Sequence, residues 1–168
     1  MNVGSRLAIL APLLMVVAGC ASDPTAVPVA PEVERAAIDQ LLDDFYHYAS
    51  AADSARYVDL FHPTGYFLGT DATERWTRDA FANYLGPYFR RGRGWSYEPI
   101  DRVVTLAPDG RHAWFDEALR SASYGTSRGT GSVIKTAEGW KITQYHLSFP
   151  VPNALARAFT DQVKAAGY

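Results

Sequence analysis

A stretch near the end of the sequence is rich in aromatic and β-branched residues and closes on a proline: Gly139-Trp140-Lys141-Ile142-Thr143-Gln144-Tyr145-His146-Leu147-Ser148-Phe149-Pro150. This pattern predicts a strand. At period two, one face carries Trp140, Ile142, Gln144, His146 and Ser148, and the other carries Lys141, Thr143, Tyr145, Leu147 and Phe149. The first face begins apolar and becomes polar. This change predicts a strand that runs from a packed core to the floor of a pocket, although a half-exposed strand end with ordinary polar residues would show the same pattern.

The chain before this strand predicts an α+β domain. Apolar residues recur at helical spacing over 32–50, 52–61 and 77–89, while the segments 65–70, 95–106, 112–121 and 128–136 read as strands. Helices followed by successive antiparallel strands favour a sheet with helices on one face. We therefore predict a curved antiparallel sheet wrapped around helices over 32–153, followed by a C-terminal helical segment over 154–168.

Composition excludes several classes of function. With 168 residues, 48% hydrophobic and 13% aromatic, the chain can bury a core, and its formal net charge of −2 gives no basic footprint for nucleic acid. The single cysteine, Cys20, excludes a disulfide framework and a cysteine-rich metal site. No histidine pair at helical spacing, glycine-rich phosphate loop or nucleophile elbow occurs, so the sequence predicts neither a metal nor a cofactor.

The first 20 residues resemble a bacterial lipoprotein signal. A short positive region at Arg6 precedes an apolar run over 7–18, and Val17-Ala18-Gly19-Cys20 supplies an aliphatic residue, small residues and the cysteine. The resemblance implies cleavage before Cys20, acylation of that cysteine and a lipid-anchored protein of the cell envelope. Ala21, at the next position, favours the outer membrane. An ordinary secretory signal is the alternative, and the proline-rich segment 21–31 predicts an extended tether.

The order of motifs is similar to the nuclear transport factor 2-like superfamily, in particular its SnoaL-like branch. The resemblance covers roughly Val33 to Asn153. Its carriers are Asp59-Leu60-Phe61-His62-Pro63, Leu68-Gly69-Thr70-Asp71, Ala113-Trp114-Phe115-Asp116-Glu117, Gly139-Trp140-Lys141-Ile142 and Ser148-Phe149-Pro150-Val151-Pro152-Asn153. It implies a cone-shaped, cystatin-like roll with a cavity at its open end, and often a homodimer formed through the sheet. Members include isomerases, dehydratases and cyclases as well as ligand-binding domains, so the fold does not settle the function.

His146 is the candidate catalytic residue on the pocket floor, because a histidine can donate or accept a proton near neutral pH. A structural role in a hydrogen bond is the plainer interpretation. Asp116 and Glu117 are adjacent on a strand and must face opposite sides, so one of them points inward and needs a partner. Arg128, on the next strand, is the expected partner. Asp116 and His146 could then share acid–base work, or the acid and Arg128 could form an ion pair that holds the strands in register.

Trp76 and Tyr66 could wall an aromatic pocket for a flat or apolar ligand, although core packing is the simpler role for both. The sequence thus predicts a domain that binds a small, partly apolar molecule. The predicted lining residues are Tyr66, Trp76, Asp116, Arg128, Gln144 and His146. Two alternatives stay open. One is a cofactor-independent isomerase, dehydratase or cyclase that uses His146 and Asp116. The other is a protein-interaction module that forms a homodimer through the sheet face carrying Lys141, Thr143 and Tyr145.

Overall fold

The computed structural model describes residues 30–168, so the predicted signal segment with Cys20, and nearly all of the tether, lie outside the described residues. Four helices and six strands follow one another in mixed order. They are α1 (Pro31–Ser50), α2 (Ser54–Asp59), β1 (Phe61–Leu68), β2 (Arg75–Thr77), α3 (Arg78–Phe89), β3 (Glu98–Leu106), β4 (His112–Ser121), β5 (Gly125–Thr136), β6 (Gly139–Ser148) and α4 (Asn153–Ala165). The predicted α+β class is confirmed.

The six strands form one curved sheet in the order β2-β1-β6-β5-β4-β3. The three long strand pairs β3–β4, β4–β5 and β5–β6 are antiparallel, as predicted. The pair β1–β6 is parallel. Strand β6 therefore lies inside the sheet with a neighbour on each side, and it carries the transition from the core to the edge of the pocket described below.

Helix α1 lies on one face of the sheet, which we call the inner face. Its residues at helical spacing, Ile38, Leu42 and Phe45, are at most 2% exposed. The ring of Phe45 is 4.5 Å from that of Tyr145 on β6, centroid to centroid. Aromatic rings fill most of the space between helices and sheet, and Phe67 of β1 stacks on Phe81 of α3 at 4.2 Å. This packing fixes which side of each strand is interior.

A β-bulge at Thr143 reverses the alternation of β6. Val133 on β5 pairs with Ile142, but the preceding Ser132 pairs with Gln144, so Thr143 is the extra residue. The Thr143 hydroxyl hydrogen-bonds the Ser132 hydroxyl at 2.8 Å and carbonyl at 2.9 Å. Gly131 lies beside the bulge, where a Cβ would overlap the carbonyl of Gln144. Before the bulge Trp140 and Ile142 face inward; after it Tyr145 is buried instead.

Side chains cap the starts of two helices, α2 and α3. Asp53 accepts a hydrogen bond from the amide of Arg56 at 3.1 Å and caps α2. Thr77 accepts one from the amide of Ala80 at 3.3 Å and caps α3. Strand β1 begins earlier than predicted, at Phe61, so His62 lies in a strand and not at a helix end. Helix α3 follows β2 directly and its Phe81 stacks on Phe67 of β1, so α3 lies beside the β1–β2 turn.

Helix α4 follows β6 and buries none of its residues. Leu155 and Phe159 are 59% and 51% exposed. None of the helices within residues 30–168 is long and apolar enough to cross a membrane.

Candidate functional site

An aromatic pocket of about 270 Å³ opens between the inner face of the sheet and α3, near the carboxyl end of β6. Eight of its lining residues carry aromatic rings. The full lining is Phe67, Gly69, Thr70, Glu74, Trp76, Phe81, Tyr84, Trp95, Tyr97, Tyr124, Leu147 and Phe149. Ligand pockets for drug-sized molecules start at roughly 300 Å³, so this one suits a small ligand.

Stacked ring pairs hold the pocket wall in place. Trp76 of β2 stacks on Tyr84 of α3 with ring centroids 4.5 Å apart. At the rim, Tyr124 of the β4–β5 turn stacks on Phe149 at 5.0 Å. Tyr124 is 64% exposed, so the rim is open to solvent while the interior rings are packed. The pocket is therefore shaped before any ligand arrives, which lowers the entropic cost of binding.

A narrow neck continues from the pocket toward the centre of the domain. It holds only about 10 Å³ and shares Phe67, Trp95, Tyr97 and Leu147 with the pocket. Tyr46 of α1 and Tyr145 of β6 close its inner end. A void of this size is barely large enough for one water molecule, so the tyrosines do not reach a ligand in this conformation.

Behind the neck lies a buried polar network centred on Glu117, whose side chain is fully buried. The Tyr46 hydroxyl donates to the Glu117 carboxylate and lies 2.7 Å from the Tyr145 hydroxyl. Arg102 of β3 donates from Nε to Glu117 Oε2 at 2.8 Å and reaches Asp43 of α1 at 3.0 Å. Gly129 leaves room for this network, because a Cβ there would overlap the Tyr145 hydroxyl.

Burial dominates the titration of this network. It raises the pKa of Glu117, against the opposing effect of the hydrogen bonds from Tyr46 and Arg102. Burial also raises the pKa of Tyr46 and of Tyr145 far above the ordinary tyrosine value. Both hydroxyls therefore stay protonated at neutral pH and serve as hydrogen-bond donors. The network ties α1 to β3, β4 and β6 through buried hydrogen bonds, while Nη2 of Arg102 has no partner among the described residues.

The pocket's one acidic side chain, Glu74, is held by the turn between β1 and β2. The Gly69 amide donates to the Glu74 carbonyl at 2.8 Å, and the Asp71 amide donates to Glu74 Oε2 at 3.2 Å. The Glu74 side chain lies so close over Gly69 that a Cβ at position 69 would overlap it. The glycine therefore lets the carboxylate fold back to the pocket wall.

Of the predicted lining residues, Trp76 contributes to the pocket. Tyr66 and Gln144 do not line it: their positions pair across β1 and β6, and the Tyr66 hydroxyl donates to Gln144 Oε1 at 3.1 Å. Both side chains lie on the opposite, outer face of the sheet, because Phe67 and Tyr145 beside them point inward. The prediction that Gln144 continues the inner face of Trp140 is wrong, and the bulge at Thr143 is the reason.

His146 also lies on the outer face, two positions after Gln144, so its predicted place on the pocket floor is wrong for the same reason. Asp116 is exposed on that face, and Glu117 is the acid that points inward. Asp116 pairs with Thr130, which pairs with His146, so the two are separated by two strand spacings, roughly 10 Å. The predicted acid–base pair therefore does not share a cavity.

Arg128 is exposed and makes no ion pair within residues 30–168. The partner of the inward acid is Arg102 and not Arg128 as predicted. Of the dimer face predicted from β6, Lys141 and Thr143 lie outside the core but Tyr145 is 1% exposed and interior. The homodimer itself stays a prediction. In the described part of the chain no cluster of three potential metal ligands occurs.

A model of the SnoaL-like domain family matches residues 38–152, which is more than half of the sequence. The chain belongs to the SnoaL-like domain family. The match begins inside α1 and ends just before α4, so this SnoaL-like domain includes the whole sheet, the pocket and the polar network. No curated protein matches the sequence at a significant level.

Solved structures with the same fold support this assignment of the SnoaL-like chain. A candidate aromatic ring hydroxylase from Novosphingobium aromaticivorans is 20% identical, with 74% of this chain and 94% of that one covered and a TM-score of 0.62. A candidate dehydratase of the nuclear transport factor 2-like family from Streptomyces avermitilis is 14% identical, with 73% and 100% covered and a TM-score of 0.62. A protein with a cystatin-like fold from Nostoc punctiforme is 13% identical, with 73% and 96% covered and a TM-score of 0.58. At these identities the likeness concerns the fold alone.

Proposed function

We propose that this SnoaL-like domain binds a small, partly apolar molecule in the aromatic pocket. The observation that carries the proposal is the pocket's wall, in which eight of twelve lining residues are aromatic and Glu74 is the one acid. A concave apolar surface with a few polar groups is the usual form of a small-molecule site. Stacked pairs such as Trp76 and Tyr84 offer a flat ligand large contact area at little cost in side-chain entropy.

Replacing Trp76 with alanine is expected to weaken the binding of a neutral flat probe such as 2-naphthol by about tenfold, the effect of losing one aromatic contact of about 1.4 kcal/mol. Tryptophan fluorescence titration and the ligand-induced rise in Tm measure it. Trp114→Ala is the matched control, since Trp114 is 52% exposed on the outer face. Tyr124→Ala, at the exposed rim, should weaken binding without the loss of packing expected at Trp76. The proposal fails if Trp114→Ala weakens the binding of 2-naphthol while Trp76→Ala and Tyr124→Ala leave it unchanged.

A cofactor-independent isomerase, dehydratase or cyclase is the competing function, and two of the similar structures carry the names of candidate enzymes. The enzyme predicted from the sequence needs His146 and Asp116 at one cavity. These two residues lie apart on the outer face of the sheet. The pocket wall itself holds one acid, Glu74, and three tyrosines, but no histidine or lysine that could act as a base beside them. Glu117, Tyr46 and Tyr145 lie behind the neck and are hydrogen-bonded to one another. The geometry therefore supports binding better than proton transfer.

We propose in addition that the mature protein is a lipid-anchored lipoprotein of the bacterial cell envelope. Support comes from the sequence Val17-Ala18-Gly19-Cys20 after an apolar run, together with the position of the chain's single cysteine. Several acyl chains on one residue anchor a protein stably, whereas one chain binds only marginally.

Cys20→Ser in the full-length chain is expected to move the protein from the membrane fraction to the soluble fraction. Mass spectrometry of the wild type should find an acylated Cys20 at the mature terminus. Ser22→Ala is the control for changes in the same segment and should stay in the membrane fraction. An unmodified terminus at another residue would refute the anchor and leave the pocket proposal untouched.

A further inference from the structure

The charge of the pocket wall restricts what the pocket can take. Glu74 is the single acidic side chain among the lining residues, and none of them is lysine, arginine or histidine. The other lining residues with a polar group in the side chain are Thr70, the three tyrosines and the two tryptophans. An anionic ligand would therefore lose its hydration and meet a carboxylate, which disfavours it.

The negative charge of Glu74 has no basic partner within residues 30–168. Its carboxylate accepts one hydrogen bond there, from the Asp71 amide. The adjacent Arg75 is directed to the other side of the sheet, where its guanidinium lies 4.2 Å from the centre of the Tyr66 ring. The Glu74 side chain is half-buried, so solvent screens its charge only in part.

The aromatic wall adds to this field. The faces of tryptophan and tyrosine rings carry negative potential and attract organic cations, most strongly where water is excluded. Two tryptophans, Trp76 and Trp95, and three tyrosines line the same 270 Å³. Burial first, and then the nearby hydroxyl of Tyr88 and carboxylate of Glu74, raise the pKa of Tyr84. The Tyr84 ring and the Glu74 carboxylate therefore both contribute negative potential to the pocket.

We propose that the ligand of the aromatic pocket is a small organic cation with a trimethylammonium group, held by the aromatic wall and paired with Glu74. The proposal rests on the proposed function, since it names the chemical class that the same pocket selects. A trimethylammonium head has no N–H to satisfy, so apolar rings can surround it without leaving a donor unpaired. One carboxylate at the wall balances its charge.

Choline and its uncharged isostere 3,3-dimethylbutan-1-ol separate charge from shape. Each compound is titrated into the full-length protein. Choline is expected to quench tryptophan fluorescence and to bind about tenfold tighter than the isostere. Glu74→Gln should reduce the affinity for choline about tenfold and leave the isostere unchanged. Glu138→Gln, which removes one exposed acid from the β5–β6 turn, is the matched control and should leave both affinities unchanged.

Each other outcome overturns the cation assignment. Equal affinity for choline and its isostere would show that the pocket selects shape alone, and equal losses in Glu74→Gln and Glu138→Gln would show a long-range charge effect. No binding of choline would also refute the assignment, while the response to neutral 2-naphthol still decides the proposed function separately. A titration with phosphatidylcholine vesicles distinguishes sources: binding that choline competes away identifies a lipid head group, and binding of choline alone identifies a free solute.

Discussion

Insertion of one alanine between Ser132 and Val133 of β5, opposite Thr143, is expected to prevent the domain from folding. The added residue gives Thr143 a partner, so the bulge disappears and strict alternation along β6 turns Gln144 and His146 inward and Tyr145 outward. Burying two unpaired polar side chains and exposing a buried tyrosine together cost more than about 5 kcal/mol, which approaches the whole stability of a small domain. Circular dichroism and urea unfolding of the purified domain measure this loss.

Thr143→Ala is the matched control for that insertion, because it keeps the residue counts of β5 and β6. It removes the hydroxyl contacts to Ser132, and we expect a loss of about 1 kcal/mol. An insertion variant that folds with nearly wild-type stability would contradict the assignment of the bulge at Thr143.

Replacing Glu117 with alanine is expected to cost about 3–5 kcal/mol of unfolding free energy. The change removes the buried acceptor of two donors, the Arg102 guanidinium and the Tyr46 hydroxyl. Asp116→Ala is the control one residue away. Since Asp116 is exposed, we expect its loss to stay within about 0.5 kcal/mol. Equal losses in the two variants would refute the assignment of Glu117 as the inward acid.

The variant Glu117→Gln tests the direction of the pKa shift. Because the pKa of Glu117 is raised above the ordinary carboxyl value of 4.5 in the folded state, folding favours the protonated form. This contribution is complete below about pH 4.5 and is lost as the pH rises through the raised pKa. The stability of the wild type relative to Glu117→Gln should therefore decrease with rising pH across that window. An increase would show that the hydrogen bonds from Arg102 and Tyr46 outweigh burial.

Local patterns predicted the long elements of this fold because each is set by near neighbours, whereas the three-residue strand β2 was not predicted. The strand β4 and the helix α1 follow from spacing that a single sequence displays. The family resemblance supplied the arrangement of these elements. It also led to an inner face with a cavity, and Trp76 at the pocket wall fits that expectation.

The polar candidate residues were harder to place, because the face of the sheet on which each side chain lies depends on pairing with other strands. The bulge at Thr143 arises where Ser132 and Gly131 meet β6, and alternation within β6 does not reveal it. Alternation showed that Asp116 and Glu117 point to opposite faces of the sheet, but it did not show which of the two is buried. A usable sign was available in β4: Ala113, Phe115, Glu117 and Leu119 share one side, and an acid within that apolar set needs a buried cation.

The indole N–H signals in a ¹H–¹⁵N NMR spectrum report whether a ligand binds in the pocket on the inner face of the sheet. The chain has four tryptophans, of which Trp76 and Trp95 line the pocket while Trp114 and Trp140 do not. On addition of 2-naphthol or choline, we expect the signals of Trp76 and Trp95 to move and those of Trp114 and Trp140 to stay in place. A shift of the Trp114 signal with the pocket pair unmoved would contradict the account and place the binding surface on the outer face.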